Sequence, residues 1–203
     1  MDRTDFVSLK EMVPETLLDM RYASTNNFTG TLIPGYHAEM ALFPKVLLAH
    51  FEKASAIALK RGYRLKIFDA YRPQKAVDYF LAWSQAPETS PELKELYYPR
   101  FDRSELFNEG YLSLHSSHSL GIALDLTLVE ASTFNELDMG GHFDLFDEIS
   151  NTHSPSITKA QMASREELIN LMEEAGFRNY SKEWWHYSIR PVSWDQYLNF
   201  DIA

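Results

Sequence analysis

The sequence predicts an α+β fold, a single domain over residues 1–203 with a small central antiparallel sheet flanked by helices. Residues 63–69 and 122–129 alternate apolar and polar side chains as half-buried strands do, and residues 185–189 form a third predicted strand. Strands and helices do not follow strict βαβ order, and long turn-rich stretches separate them. This order favours a small antiparallel sheet, with a doubly wound sheet as the alternative.

The first half of the chain contains an irregular loop followed by the predicted core helix. Residues 19–30 are polar and rich in turn-forming residues, which is typical of a loop that either connects elements or carries recognition residues. Apolar residues at helical spacing over 39–61, with Gly62 just beyond them, predict a long helix. The strand at 63–69 comes next.

A second helix is predicted directly after this strand. Proline costs no hydrogen bond in the first turn of a helix, so Pro73 is compatible with a helix over residues 74–86. Arg72 therefore lies at a strand-to-helix junction, where side chains often point into a cleft.

The second half of the chain is dominated by long irregular segments. Residues 87–112 form a predicted excursion with a helical turn at 92–97, and a loop of this length is often the lid or wall of a site. In the strand at 122–129, Asp125 lies on the less apolar face. After turn-rich residues 134–156, a capping box at Ser164 predicts a helix that ends near Gly176.

Composition excludes several classes of function. The 29 acidic and 19 basic side chains give a net charge of −10, and no basic cluster is dense enough for a nucleic-acid backbone. There is no cysteine, so any metal must be held by His, Asp or Glu. The N-terminal residues do not resemble a secretory signal, and no apolar run is long enough for a membrane span. We expect a soluble, cytoplasmic protein, or a periplasmic one if a signal has been removed.

His118 and Asp125 are the first candidate metal ligands. They are seven residues apart, and Gly121 between them permits a sharp bend, so a loop histidine and a strand aspartate can converge on one point. The same spacing also suits an ordinary hydrogen-bonded pair. Three other histidines are rival ligands: His115, His142 and His153.

Glu183 and His186 provide the second candidate pattern, Glu-Trp-Trp-His. Alone it has low specificity, because the spacing arises by chance and paired tryptophans commonly pack in a core. Together with His118 and Asp125, however, His186 completes a set of two imidazoles and one carboxylate. Such a set can hold Zn²⁺ and leave its fourth position to water, the arrangement of a hydrolytic site.

Five motifs occur together in a characteristic order. The sequence resembles the D-alanyl-D-alanine dipeptidases of the vancomycin-resistance type, M15 zinc peptidases that share a fold with DD-carboxypeptidases and hedgehog signalling domains. The resemblance covers most of the chain. It rests on Tyr22-Ala23 with Asn27-Phe28-Thr29-Gly30, Asp69-Ala70-Tyr71-Arg72-Pro73, Ser116 to Gly121 through Asp125-Leu126-Thr127, Met139-Gly140 with Phe143-Asp144, and Glu183 to His186.

The resemblance implies a role for each matched residue. His118, Asp125 and His186 would bind one zinc ion, Glu183 would be the catalytic base, and Arg72 would face the reacting carbonyl group. Two further matches are implied to recognise the substrate, Ser116 and Asp144. The chain departs from the family pattern at Gly141-His142 and at Leu120, where an arginine is frequent; these differences affect the rim of the site.

The implied reaction is zinc-dependent hydrolysis of the D-Ala-D-Ala dipeptide of peptidoglycan metabolism. We expect Asp144 to accept the substrate ammonium and Ser116 to serve its carboxylate. Three aromatic residues are either walls of the site or ordinary core: Tyr22, Tyr71 and Trp185. The alternatives are a DD- or LD-carboxypeptidase acting on longer peptidoglycan peptides, and a non-catalytic zinc-binding module, which would need neither Glu183 nor Arg72. No oligomeric state is predicted.

Overall fold

The computed structural model describes residues 1–203 and has the predicted α+β fold. Five strands form the main sheet: β2 (Leu17–Leu18), β4 (Tyr63–Asp69), β5 (Ala123–Glu130), β6 (Arg178–Tyr180) and β7 (Glu183–Ser188). Their spatial order is β2-β4-β5-β7-β6. β2 runs parallel to β4, whereas the other pairings are antiparallel.

A second, two-stranded sheet pairs β1 (Phe6–Ser8) with β3 (Leu42–Pro44) in antiparallel register. The predicted helix at 39–61 is therefore wrong over its first third, and the helix α2 spans Leu48–Lys60. Residues of β3 are fully buried, and their partner strand lies far away in the sequence, so local periodicity could not distinguish them from a helix. Gly62 does end α2, with a φ of 86°.

Two other helices lie close to their predicted positions: α3 (Gln74–Gln85) begins after Pro73, and α4 (Pro91–Tyr97) is the helical turn predicted within residues 87–112. The single turn α1 (Leu9–Met12) was not predicted. The predicted start of the last helix at Ser164 is wrong, because α5 spans Lys159–Glu174. Its capping box is formed one and a half turns earlier by Thr158 and Gln161.

The hydrophobic core lies on both sides of the central strands. The sequence predicts a half-buried strand over residues 122–129, with one face less apolar than the other. β5 is instead buried on both faces from Ala123 to Val129, so its two faces do not differ in solvent exposure. Helices α2 and α5 pack against each other. In addition, α2 packs against β4 and α5 packs against β6. A cluster of aromatic rings around Phe28 includes Phe80 at a centroid distance of 4.9 Å and Phe146 at 5.1 Å. None of the helices has the length and apolar character required to cross a membrane.

Candidate active site

The loop that carries His118 is shaped by Gly121. Gly121 has a φ of 74°, and a Cβ atom there would lie 2.8 Å from Cζ of Phe6. The backbone N–H of Gly121 donates to the carbonyl of His118 at 2.9 Å, which closes the turn before β5 begins. The predicted bend between His118 and Asp125 is therefore present, and glycine is required for it.

The register of the sheet places three site residues side by side. Asp125 on β5 lies opposite His186 on β7 and opposite Asp69 on β4. Directly opposed residues have Cβ atoms about 5 Å apart and project from the same face. Pairing between distant strands therefore assembles the site, although the three residues are far apart in the sequence.

His118, Asp125 and His186 form a compact group of potential metal ligands, whose donor atoms all lie within 4.8 Å of one another. His118 Nε2 lies 3.1 Å from His186 Nδ1 and 3.2 Å from Asp125 Oδ2, and His186 Nδ1 lies 3.0 Å from Asp125 Oδ1. Ligands about 2.0–2.1 Å from a tetrahedral zinc ion are about 3.3 Å from one another. The donor atoms of the three residues are thus spaced to surround one such ion.

The protonation of the two rings also suits a cation. His118 Nδ1 lies 2.7 Å from the carbonyl oxygen of Ala70, which can only accept, so this nitrogen carries the proton and Nε2 is left as an acceptor. His186 Nε2 lies 3.1 Å from Ser117 Oγ, which can accept a hydrogen bond from a protonated Nε2 and so leave Nδ1 without a proton. Burial lowers the pKa of His186. Neutral imidazoles with their free nitrogens turned inward are the form that binds metal.

Glu183 is buried beside this group. Its Oε2 lies 3.8 Å from His186 Nδ1, and burial, reinforced by Asp125 and Asp144, raises the pKa of Glu183 well above its usual value. A carboxyl group with a raised pKa can both take and return a proton near neutral pH.

An irregularity in β7 brings Glu183 and His186 to the same cavity. Residues three apart on a regular strand point to opposite faces. Here the register between β6 and β7 shifts. Asn179 lies opposite Tyr187, but the next residue of β6, Tyr180, lies opposite Glu183. The side-chain amide of Asn179 donates to the carbonyls of both Glu183 and His186 at 3.0 Å. The Asn179 side chain thus braces this irregular segment, a role that the sequence did not suggest.

Arg72 lies at the predicted junction between β4 and α3 and is held by two carboxylates. Its Nε donates to Asp69 Oδ2 at 2.8 Å, and its Nη2 lies 3.5 Å from Asp125 Oδ2. Asp69 also accepts a hydrogen bond of 2.7 Å from the Tyr36 hydroxyl. Burial opposes the charge of Arg72, but Tyr22 and Asp69 outweigh it and hold the pKa well above its usual value. A fully charged guanidinium therefore faces the cavity.

Asp144 and Tyr22 form a buried pair across the cavity. The Tyr22 hydroxyl donates to Asp144 Oδ2 at 2.9 Å. Burial, followed by the charge of Asp125, raises the pKa of Asp144 well above its usual value, and burial also raises that of Tyr22. Asp144 has a φ of 62°, an uncommon conformation for a residue other than glycine and one that is often found at functional sites.

All eight predicted site residues line one cavity of about 250 Å³, together with Trp185. Ser116 Oγ accepts a hydrogen bond from the backbone N–H of His118 at 3.2 Å.

Tyr71 is not a wall of this cavity: its ring stacks on Phe200 at 4.2 Å, and its hydroxyl donates to the Phe200 carbonyl. The rings of Tyr22 and Trp185 combine both roles, because they line the cavity and are also buried in the core.

The rival histidines lie outside the group of potential ligands. His115 lines the cavity but packs against Tyr197 at a centroid distance of 5.3 Å. His142 has both ring nitrogens near backbone carbonyls, 2.8 Å from Phe143 and 2.9 Å from Leu96. His153 is exposed on the surface.

Comparison with known proteins agrees with these observations. A family model described as D-ala-D-ala dipeptidase, of the M15 peptidases, matches residues 2–202. Proteins named D-alanyl-D-alanine dipeptidase are similar over nearly the whole length. The protein from Streptomyces coelicolor is 40% identical over 98% of both chains, and that from Enterococcus faecalis is 38% identical over 98% of both. The Escherichia coli protein is 32% identical over 98% of this chain and 94% of its own. The chain therefore belongs to the D-Ala-D-Ala dipeptidase family of M15 peptidases.

Proposed function

We propose that this peptidase hydrolyses the dipeptide D-Ala-D-Ala, with zinc bound by His118, Asp125 and His186 and with Glu183 as general base. The observation that carries the proposal is the convergence of a group of potential metal ligands, two further buried carboxyl groups and a buried guanidinium on one cavity of about 250 Å³. The names of the relatives support the same substrate.

Zinc held by these three residues would lower the pKa of the attacking water and polarise the scissile carbonyl. The donor set favours zinc, because two imidazoles and one carboxylate are typical of catalytic zinc sites with one open position. Because the chain contains no cysteine, His, Asp and Glu are the residue types available for such a site.

Glu183 carries the proton through the reaction. It accepts a proton from the attacking water as the new C–O bond forms, and it donates that proton to the amine nitrogen as the C–N bond breaks. The buried position of Glu183, 3.8 Å from His186 Nδ1, places it beside the ligand group. Its raised pKa suits a group that must act first as base and then as acid.

Arg72 stabilises the negative charge that develops on the carbonyl oxygen during attack. Its guanidinium is buried and is held by Asp69 at 2.8 Å, so little reorganisation is needed when the charge appears. Loss of a preorganised donor of this kind typically costs on the order of 10²- to 10³-fold in rate.

Asp144 accepts the ammonium group of the substrate, and Tyr22 orients the Asp144 carboxylate through its hydroxyl. An acylated N-terminus would place a neutral amide against this buried carboxyl and remove the charge attraction. Ser116 Oγ accepts a hydrogen bond from the backbone N–H of His118. The hydroxyl proton of Ser116 is not used in this bond and can be donated to the substrate carboxylate. The pocket thus favours a free dipeptide.

The size of the cavity argues against a carboxypeptidase acting on longer peptides. Sites for drug-sized ligands occupy about 300–1,000 Å³, and this cavity of about 250 Å³ is smaller than that range. A carboxypeptidase would need an open cleft on the side of the substrate N-terminus. With Asp144 assigned to the ammonium, the buried pair of Asp144 and Tyr22 would occupy that side.

The proposal is tested by measuring free alanine released from D-Ala-D-Ala, L-Ala-L-Ala and N-acetyl-D-Ala-D-Ala by the zinc-loaded protein, with metal content determined in parallel. We expect rapid release from D-Ala-D-Ala alone. Glu183→Gln should retain stoichiometric zinc and lose turnover by a factor of about 10² to 10⁴, the usual contribution of a general base. Faster cleavage of the acetylated substrate would refute the dipeptidase assignment, and an active Glu183→Gln variant would refute the base.

A further inference from the structure

Arg190 is a basic residue of the cavity without a partner in the protein. It follows β7, is exposed, and lines the same cavity as the ligand group. No hydrogen bond or ion pair is formed by its side chain, whereas most other arginines of the chain form one or both. A free, exposed guanidinium that lines a charged cavity is available for an anionic ligand.

The backbone around Arg190 is held firmly beside the site. The N–H of Ile189 donates to the carbonyl of Ile122 at 3.0 Å, immediately before β5. Beyond Arg190, the Trp194 ring donates to the Leu120 carbonyl at 2.9 Å, and the Leu198 N–H donates to the Ser119 carbonyl at 2.8 Å. Anchors on both sides fix the Cα position of Arg190 next to the His118 loop, and its long side chain stays free to move.

The cavity has no assigned counter-charge for the substrate carboxylate, to which Ser116 offers only a neutral donor. Three carboxyl groups and two arginines line the cavity, and Arg72 is already engaged by Asp69 and Asp125. Lys182 does not line the cavity; its ammonium group donates to the Glu109 carbonyl. A dipeptide brings one ammonium and one carboxylate. Asp144 is assigned to the ammonium in the proposed function, and Arg190 is the one unengaged permanent cation among the residues that line the cavity.

We propose that Arg190 binds the α-carboxylate of the dipeptide and thereby selects substrates with a free C-terminus. This inference rests on the proposed function and adds a specificity-determining residue to it. In an extended dipeptide the carboxylate lies about one residue, roughly 3.5 Å, beyond the scissile bond, so it stays within the cavity that Arg190 lines together with the ligand group. Guanidinium and carboxylate form paired, charge-assisted hydrogen bonds, which fix orientation as well as charge.

The test compares D-Ala-D-Ala with its C-terminal amide, whose carboxylate charge is absent. In Arg190→Gln we expect KM for the free acid to rise on the order of 10- to 100-fold, the range for a hydrogen bond to a charged group, with kcat little changed. KM for the amide should stay the same. Arg190→Lys should restore part of the affinity, because it keeps the charge without the paired donors. The matched control is Arg178→Gln, an exposed arginine on β6 that does not line the cavity.

The outcomes separate this inference from the function on which it rests. An active wild-type enzyme whose preference for acid over amide is unchanged in Arg190→Gln overturns the role of Arg190 alone. A fall in kcat for both substrates, with KM unchanged, also overturns it, because a carboxylate contact acts on binding. Absence of D-alanine release by the zinc-loaded wild-type protein overturns the proposed function and the Arg190 assignment together.

Discussion

Single residues of the site depend on partners that make no contact with substrate, and Asp69 is the strongest example. Its carboxylate is fully buried, accepts hydrogen bonds from Arg72 and Tyr36, and lies 3.6 Å from His118 Nδ1. Burial raises the pKa of Asp69, while the charges of Arg72 and His118 oppose that rise. Asp69 therefore connects the guanidinium of Arg72 with His118, a candidate metal ligand.

Asp69→Asn should misplace Arg72 and lower kcat/KM. The amide retains the shape of the side chain but loses the charge that holds the guanidinium, so we expect a fall on the order of 10- to 100-fold, as for other residues that orient the groups of a metal site. The measurement is kcat/KM for D-Ala-D-Ala in the single variants and in Asp69→Asn combined with Arg72→Lys. If Asp69 acts through Arg72, the double variant is scarcely worse than Arg72→Lys. Additive losses would contradict this role.

At the scale of elements, Gly121 shows how one backbone position connects the His118 loop to β5. Its φ of 74° costs any other residue about 1–2 kcal/mol, and an added Cβ would also meet the Phe6 ring at 2.8 Å. This ring cannot move away easily, because it packs between Tyr71 at 5.2 Å and Phe200 at 5.1 Å. Conformation and packing both require glycine here.

Gly121→Ala and Gly62→Ala form a matched pair that separates the two effects. Gly62 also has a positive φ, 86°, but a Cβ added there meets nothing within 4 Å. We expect Gly62→Ala to lose about 1–2 kcal/mol of unfolding free energy and Gly121→Ala to lose about 1–3 kcal/mol more through overpacking. Urea denaturation measures both values. Equal losses in the two variants would show that the contact with Phe6 has no energetic effect.

Arg165 connects α5 to the loop that carries Asp144. Its buried guanidinium donates to the carbonyls of Met139 at 2.7 Å, Asn151 at 2.6 Å and Ile149 at 2.9 Å. Burial lowers its pKa to about 10, which still leaves it charged at neutral pH. One helical side chain thus satisfies three carbonyl acceptors on both sides of Asp144, in one buried and two partly buried hydrogen bonds.

Arg165→Met should destabilise the protein by about 3 kcal/mol, because buried carbonyls are left without donors. The control is Lys159→Met, which removes an exposed cation from the same helix and should change stability by less than about 0.5 kcal/mol. Urea midpoints at constant slope give both differences. Similar midpoints for the two variants would mean that the three hydrogen bonds contribute little.

For the whole molecule, the sequence predicted what is local and missed what depends on distant pairing. The strand at 63–69, the Arg72 junction and the Gly121 bend follow from neighbouring residues, and the structure has all three. Strands β1, β2 and β6 have two or three residues each, too few for a periodic pattern. The alignment of Asp69, Asp125 and His186 and the bracing by Asn179 depend on register between strands. Arg190 lies outside every motif, so only its position beside the cavity revealed it.

The candidate ligands come from three parts of the fold, so zinc binding should stabilise the whole molecule. His118 lies on a loop, Asp125 on β5 and His186 on β7, and an ion shared by them opposes separation of these segments. A ligand at a thousand times its Kd adds about 4 kcal/mol to the unfolding free energy. For a chain of this size the corresponding rise in Tm is about 8–16 °C.

Thermal unfolding of the metal-free protein, with and without added zinc, measures this rise. His118→Ala should remove most of it, because two protein ligands hold the ion far less firmly than three. His115→Ala is the matched control: this histidine lines the cavity three residues away but is not in the ligand group, so its variant should keep the full shift. An undiminished shift in His118→Ala would place the stabilising zinc elsewhere, and loss of the shift in His115→Ala would add that residue to the ligands.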